Sequence, residues 1–346
     1  GMNFARAPAC WLLSLGVVAS LAAGAEPRLP AALQRVDPRT LSSGLYLALA
    51  EAGAFGGVGT YAVAADAALG VGKGRAPLVL DARVGDNLRL GDDPSSLSAS
   101  QRGQADPHLW RSAVSPELLV ATFQEGRYAS GGGSVDCGYA VSVDGGLTWT
   151  RALIPQLTTA SGGFYVRATD PVAAVDLEGN VFLNTLVARQ PGFVDGGVVV
   201  VSRSTDGGRT FELPVVVAAA PTSSHTYDKN WMTVNDFPGT PHAGRLVVAF
   251  ADITSATSYD LLASVSDNRG LTWSGPVLLK PHDSLINQCA MPSFLPDGSL
   301  FIAYVTALTS TSMRIECRRA ADGGSSFPGN STVVVDHVSL WEDPVL

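Results

Sequence analysis

An all-β fold, a β-propeller of four-stranded antiparallel blades, is predicted by three observations. One eight-residue turn recurs four times at near-constant spacing; the segments between copies are short apolar runs bounded by turn residues; and 37 Gly and 21 Pro in 346 residues interrupt the chain too often for a helical protein.

The turn is Ser142-Val143-Asp144-Gly145-Gly146-Leu147-Thr148-Trp149, with copies at 204–211, 266–273 and 320–327. Its third position holds Asp144, Asp206, Asn268 or Asp322, and its fifth Gly146, Gly208, Gly270 or Gly324. A carboxylate or amide at the third position accepts bonds from the amides of its own turn, glycine tolerates positive φ, and the closing aromatic anchors the exiting strand. The third copy substitutes Asn268, which still accepts a bond, and the fourth carries Ala320 and Ser326 for Ser and Thr, so weaker turns are expected there in an unchanged architecture. Spacings of 62, 62 and 54 residues leave room for four short strands per unit.

Taken in order, residues 1–25 read as a secretory signal: Arg6 supplies the positive charge, 11–23 the apolar stretch, and Ala23-Gly24-Ala25 a small-residue cleavage site before Glu26. An uncleaved anchor or a buried helix competes with this, but the run is short for a membrane span. A secreted or periplasmic location is expected. Residues 26–105 form an N-terminal segment in which 61–69 aligns with 139–147 as a decayed copy of the hairpin, making 45–49, 60–65 and 78–82 strands of an incomplete blade.

Residues 106–346 repeat four steps. A first strand opens at Asp106-Pro107, Asp170-Pro171, Asp228-Lys229 or Gln288-Cys289; an apolar second strand follows, as at 181–187, 245–250 and 300–305; a third runs into the octet, as at 198–203; and a fourth leaves it, as at 211–217. Such units cannot bury their own faces and must pack on one another around an axis; a solenoid is the structural alternative. Asp343-Pro344 echoes Asp170-Pro171, so the chain ends in the start of a further unit, either cut short or completing the N-terminal blade. Four complete blades and one composite blade are expected.

Composition limits the partners. The net charge is -8 and no basic run could track phosphates, which excludes nucleic acid and disfavours an anionic membrane once the signal is removed. With Cys10 in the signal, Cys137, Cys289 and Cys317 allow at most one internal disulfide, so packing must supply the stability.

The octets resemble the Asp-box (BNR-repeat) motif of the sialidase superfamily, Ser-x-Asp-x-Gly-x-Thr-Trp, and the resemblance covers roughly residues 106–346. It implies a propeller, six-bladed in that family, with a ligand site on the face around the axis. Sialidases of the superfamily hold a substrate carboxylate with three arginines and use a Tyr nucleophile with a Glu partner and an Asp acid/base. The Arg-Ile-Pro motif is missing here, with only Arg28-Leu29-Pro30 as a faint echo, and no Tyr-Glu pair can be assigned. Arg127 and Arg167 are the arginines placed to reach the channel mouth, whereas Arg245 sits in an apolar strand. The resemblance therefore supports the scaffold better than the activity.

First strands line a propeller's channel, so Asp106, Asp170, Asp228, Gln288 and Asp343 are expected to converge. Clustered carboxylates repel, which raises one pKa and gives an acid beside a base; Asp106, Asp170, Asp228 and Asp343 are the catalytic candidates. The same ring could attract a hard cation such as Ca²⁺, although no cofactor or metal is specifically indicated, or each Asp could merely cap a turn. Trp231 and Lys229, with His108 and Gln288, have the chemistry of a sugar cleft, an indole for the apolar face and polar groups for the hydroxyls. Trp110 and Trp231 could equally wedge blades apart, Trp149 and Trp273 read as structural, and His225 and His242 as solvated loop residues. Two functions remain: a secreted glycoside hydrolase acting on a glycan, and a non-catalytic propeller that binds glycan or protein through the same face, with a purely structural module as a third.

Overall fold

The structure, a computed structural model, describes residues 90–91, 103–128, 133–190, 196–255, 258–282, 286–308 and 312–339. The signal, the N-terminal blade elements and Asp343 lie outside the described residues. Most of what is described belongs to one compact unit, formed by 88–309 and 313–338.

That unit is a β-propeller arc of four blades. The first consists of β1 (Gln104–Arg111), β2 (Leu119–Arg127), β3 (Ser134–Ser142) and β4 (Thr150–Leu153), and the second of β5 (Arg167–Val175), β6 (Val181–Ala188), β7 (Val198–Ser204) and β8 (Val215–Ala219). The third contains β9 (Thr226–Val234), β10 (Leu246–Ser255), β11 (Ser258–Ser266) and β12 (Val277–Lys280), and the fourth β13 (Ile286–Phe294), β14 (Leu300–Ala307), β15 (Ser312–Ala320) and β16 (Thr332–Ser339). Strands within a blade are hydrogen-bonded in chain order. One bridge, Ser134 with Ala168, links the first blade to the second, and another, Tyr259 with Ile286, links the third to the fourth.

The core lies between blades, which explains the continuous apolar runs. All eight residues of β6 are buried: Val181 and Leu183 point into a cluster with Val120, Tyr139 and Val141 of the first blade, while Phe182 and Leu186 point into one with Met232 and Phe250 of the third. Alternate side chains of a strand face opposite ways, so a strand buried on both faces is mostly apolar, with Asn184 admitted through its bond from Nδ2 to Val200 O at 2.9 Å. In β10, Val248 and Phe250 likewise face the second blade and Val247 and Ala249 the fourth.

Each octet joins the third strand to the fourth. Ser142 Oγ donates to Asp144 Oδ1 at 2.8 Å and accepts from the Gly146 amide at 2.8 Å, while the Thr148 amide and hydroxyl donate to the Asp144 carboxylate at 2.9 and 2.5 Å. The second copy repeats the pattern around Asp206. In the third, Asn268 Nδ2 donates to Thr272 Oγ1 at 2.8 Å, reversing that bond without losing it. In the fourth, Ser326 Oγ still reaches Asp322 Oδ2 at 2.6 Å, but Ala320 leaves the serine bonds unmade. The fifth-position glycines have φ of 94, 84, 76 and 89°. A Cβ on Gly208 would stand 2.7 Å from Val141 Cγ2 of the preceding blade, so this glycine also permits blades to close on each other.

Two expectations are corrected. The fourth strand of the second blade starts at Val215, not at 211, because Phe211 turns into the core against Tyr139 with ring centroids 4.8 Å apart. Arg245 is not part of an apolar strand. It stands just before β10, 6% exposed, with Nε and Nη2 on the Asp267 carboxylate at 2.6 and 2.8 Å and Nη1 on Asp322 O and Ser325 Oγ at 2.9 and 2.8 Å. It ties the third blade to the fourth octet. Cys137, Cys289 and Cys317 are all thiols, Cys137 fully buried.

Candidate functional site

Every inner strand carries a β-bulge near its start. Three residues of the inner strand span two of its neighbour between Ala105 and His108, Thr169 and Val172, Asp228 and Trp231, and Gln288 and Met291. At each bulge one non-glycine residue takes positive φ: Asp106 (50°), Asp170 (47°), Lys229 (51°) and Cys289 (57°). Left-handed backbone at such residues costs of order 1 kcal/mol each, and four instances at one register position mark a site the fold holds under strain.

The bulges meet around one cavity of about 300 Å³, to which each blade gives three consecutive residues: Asp106 to His108, Asp170 to Val172, Lys229 to Trp231 and Cys289 to Met291. Asp106 accepts from Gln124 Nε2 at 2.5 Å, and Arg127 stands 3.9 Å behind it. Lys229 Nζ lies 3.7 Å from Asp170 Oδ1. Asn230, 2% exposed, donates Nδ2 to Asp170 O at 3.0 Å and to Asn184 Oδ1 at 2.6 Å; its own Oδ1, like Asp170 Oδ2, is buried without a hydrogen-bond partner. His108 accepts from the Ala173 amide through Nδ1 at 3.1 Å, which puts the proton of the neutral ring on Nε2, and meets Trp231 edge-on with centroids 5.2 Å apart.

The electrostatics follow from burial. Desolvation, then repulsion from Asp170, raises the Asp106 carboxyl above its ordinary value, outweighing Lys229, Arg127 and the Gln124 bond. Burial lowers His108 to about 4, so the ring is neutral at physiological pH. For Lys229 burial is the largest influence and lowers the ammonium, but the fields of Asp170, Asp228, Asp106 and Cys289 together outweigh it and hold it above its ordinary value. The cavity therefore presents a carboxyl whose surroundings favour its protonated form beside the Asp170–Lys229 ion pair.

A sialidase of Micromonospora viridifaciens is 30% identical over 154 residues, covering 38% of this chain but only 22% of the bacterial enzyme's length. The α-L-arabinofuranosidase Arb93A of Fusarium graminearum superposes with a TM-score of 0.52 at 15% identity, over 72% of this chain and 71% of that one. A leech intramolecular trans-sialidase gives 0.50 at 14% identity, over 72% and 53% of the two chains. No protein-family profile matches. The fold is that of a sialidase-like propeller.

In this sialidase-like frame the predicted residues separate. Asp106, Asp170, Lys229, His108 and Trp231 line the cavity. Asp228 and Gln288 do not; they precede the bulge by one residue and face each other, Gln288 Nε2 to Asp228 Oδ2 at 3.4 Å. Lys229 and Cys289 occupy the ring positions that Asp228 and Gln288 were expected to fill, because the left-handed bulge residue is the first of the opening dipeptide in the first two units and the second in the last two. Arg127 backs Asp106 by donating to Gln124 Oε1 at 2.9 Å, and the Arg167 guanidinium sits 4.0 Å over the Tyr128 ring, so neither lines the cavity. Trp110 packs into the clusters on both sides of the second blade, and Trp231 both packs against the cluster between the second and third blades and forms cavity wall. His225 is not simply solvated: its Nδ1 lies 2.9 Å from Asp252 Oδ2, at the mouth end of β9 and β10. The carboxylates bond to side chains rather than capping loop amides, and among the described residues no group of three or more His, Cys, Asp or Glu side chains is arranged to hold a metal ion. Sequence reasoning missed Cys289, Asn230 and Gln124; the dipeptide after each first-strand opener was the only available signal.

Proposed function

We propose that this chain is a secreted, sialidase-like propeller whose axial cavity takes the end of a neutral glycan, with Asp106 as the acid and Asp170 as the carboxylate partner that hydrolysis there would use. The observation that carries this is the convergence of four strained bulges on one cavity, where burial and Asp170 raise the Asp106 carboxyl beside the Asp170–Lys229 pair. Trp231 offers an apolar ring face, and Nε2 of His108 and the Lys229 ammonium supply bonds suited to hydroxyls. Among the described residues a substrate carboxylate finds no arginine in the cavity wall, so an uncharged sugar is favoured over sialic acid. The secreted location rests on the N-terminal apolar segment.

A glycan array with the whole chain tests recognition, and reporter glycosides of the bound sugar test turnover. Asp106→Asn should slow hydrolysis about 10²- to 10⁴-fold, the usual contribution of a general acid, while leaving binding within about threefold, since amide and carboxyl are near-isosteric. Efficient cleavage of a sialyl reporter would refute the neutral-sugar assignment. A non-catalytic binding module is the second reading, favoured by the bonds from Gln124 and Lys229 that already engage both carboxylates; unchanged turnover in Asp106→Asn, or none in the wild type, selects it.

A further inference from the structure

Behind the cavity wall one buried amide touches both acidic bulges. Gln124 stands on β2, opposite Ala105 of β1 and 1% exposed. Its Nε2 donates to Asp106 Oδ2 at 2.5 Å and to Thr169 Oγ1 at 2.7 Å, and the Thr169 hydroxyl donates onward to Asp170 Oδ1 at 3.1 Å. Its Oε1 accepts from Arg127 Nη1 at 2.9 Å. A guanidinium has only donors, so the end of the amide that meets Arg127 must be the oxygen, and both Nε2 hydrogens are left for Asp106 and Thr169. Flipped, the amide would set nitrogen against Arg127 and oxygen against Asp106, and neither contact could bond while Asp106 is ionised. The blade itself does not ask for a polar residue here. At the same register position, opposite the residue that precedes each bulge, the other three blades carry Leu186, Ala251 and Val305. A buried amide where three equivalent positions are apolar is explained by what it bonds.

We propose that Gln124, oriented by Arg127, is the positioning residue of the cavity: its amide ties Asp106 to Asp170 through Thr169 and fixes how the two carboxyl groups stand to each other. Its part in hydrolysis rests on the proposed function, in which those groups are the acid and its partner; the link between them does not. Burial and then Asp170 raise the Asp106 carboxyl, and the Gln124 bond opposes them. The other groups facing Asp106 are Arg127 of β2, Asp170 of β5 and Lys229 of β9, with His108 of its own strand and Cys289 of β13 in the same wall. In Gln124→Met all of these stay, the side chain keeps its volume, and the amide's bonds are lost.

The test follows the Asp106 carboxyl carbon by NMR in the folded chain, with isotope-labelled aspartate and the signal assigned by its absence in Asp106→Asn. In Gln124→Met its titration should move up by about one pH unit. Thr169→Val removes the acceptor of the second Nε2 hydrogen and should speed hydrogen exchange at Gln124 Nε2 about tenfold, whereas Thr169→Ser should leave it unchanged. With a reporter glycoside, Gln124→Met should lower kcat about 10- to 100-fold at a KM within about threefold. The basic limb of its pH profile, where the acid loses its proton, should move up with the titration. A titration that stays put in Gln124→Met, or Nε2 exchange indifferent to Thr169→Val, overturns the link; a raised KM with kcat unchanged overturns the positioning role. If Gln124→Met does not fold, the Thr169 pair decides, since that side chain is partly exposed. A wild type that turns over no glycoside refutes hydrolysis, and the two NMR readouts still judge the link.

Discussion

Asp136 offers the most quantitative test of how this propeller handles buried charge. It is 0% exposed, accepts from Thr158 Oγ1 at 2.5 Å and from the Cys137 amide at 2.7 Å, and so fastens the loop between the first and second blades to β3. Burial dominates, and raises its carboxyl from 3.8 to about 6 despite those bonds, a preference for the protonated form of about 3 kcal/mol. The sign is fixed by which state loses its proton first. Below 3.8 the group is protonated folded and unfolded, and native stability is intact; between 3.8 and about 6 the unfolded chain ionises first, stability falls, and beyond about 6 the whole amount is lost. Asp136→Asn removes this titration, and whatever it costs at the Thr158 bond is the same at every pH. Urea unfolding followed by tryptophan fluorescence should therefore show the variant gaining about 2–3 kcal/mol relative to wild type between about pH 4 and about pH 7.5. A constant offset across that range would mean that Asp136 is ionised throughout and that the burial argument is wrong.

Three further outcomes are expected. Trp231→Ala should weaken glycan binding roughly tenfold, worth about 1–2 kcal/mol of stacking, by calorimetric titration, with Trp231→Phe recovering most of it. Arg245→Ala should lower stability by about 2 kcal/mol in urea, at the low end for a buried ion pair because Asp267, 62% exposed, can be rehydrated. Gly207→Ala and Gly208→Ala separate backbone strain from blade packing: both residues have positive φ, 73 and 84°, but only a Gly208 Cβ meets Val141, so Gly208→Ala should unfold at least about 1 kcal/mol more easily than Gly207→Ala.

What the sequence made legible was local. The octet chemistry works among residues four apart, so Asp144, Asp206, Asn268 and Asp322 announce their turns wherever they stand, and strands between them show as apolar runs because both faces are buried. What it hid depends on partners far along the chain. A bulge is defined only against the neighbouring strand, so nothing in Asp228-Lys229 tells that the lysine, and not the aspartate, takes the place held by Asp106 and Asp170. The same holds for His225, whose partner Asp252 is 27 residues away, and for Arg245, whose contacts with the fourth octet span up to 80 residues.

Register also separates the two tasks of the fold. Leu119 pairs with both Arg111 and Ser142, which places the octets at the end of the blades where the inner strands finish; Gln104, Glu125 and Asp136 pair at the other end, beside the bulges. The turns that join each third strand to its fourth, and bring Gly208 against the preceding blade, therefore sit a strand's length from the cavity. Strain at Asp106, Asp170, Lys229 and Cys289 is borne by pairing and packing elsewhere in the same strands, since β1, β5, β9 and β13 all resume regular antiparallel register beyond the bulge. An acid, a carboxylate, an ammonium and a thiol can thus occupy one register position in four blades without altering the blade, because the bulge fixes where a side chain goes and leaves open what it is.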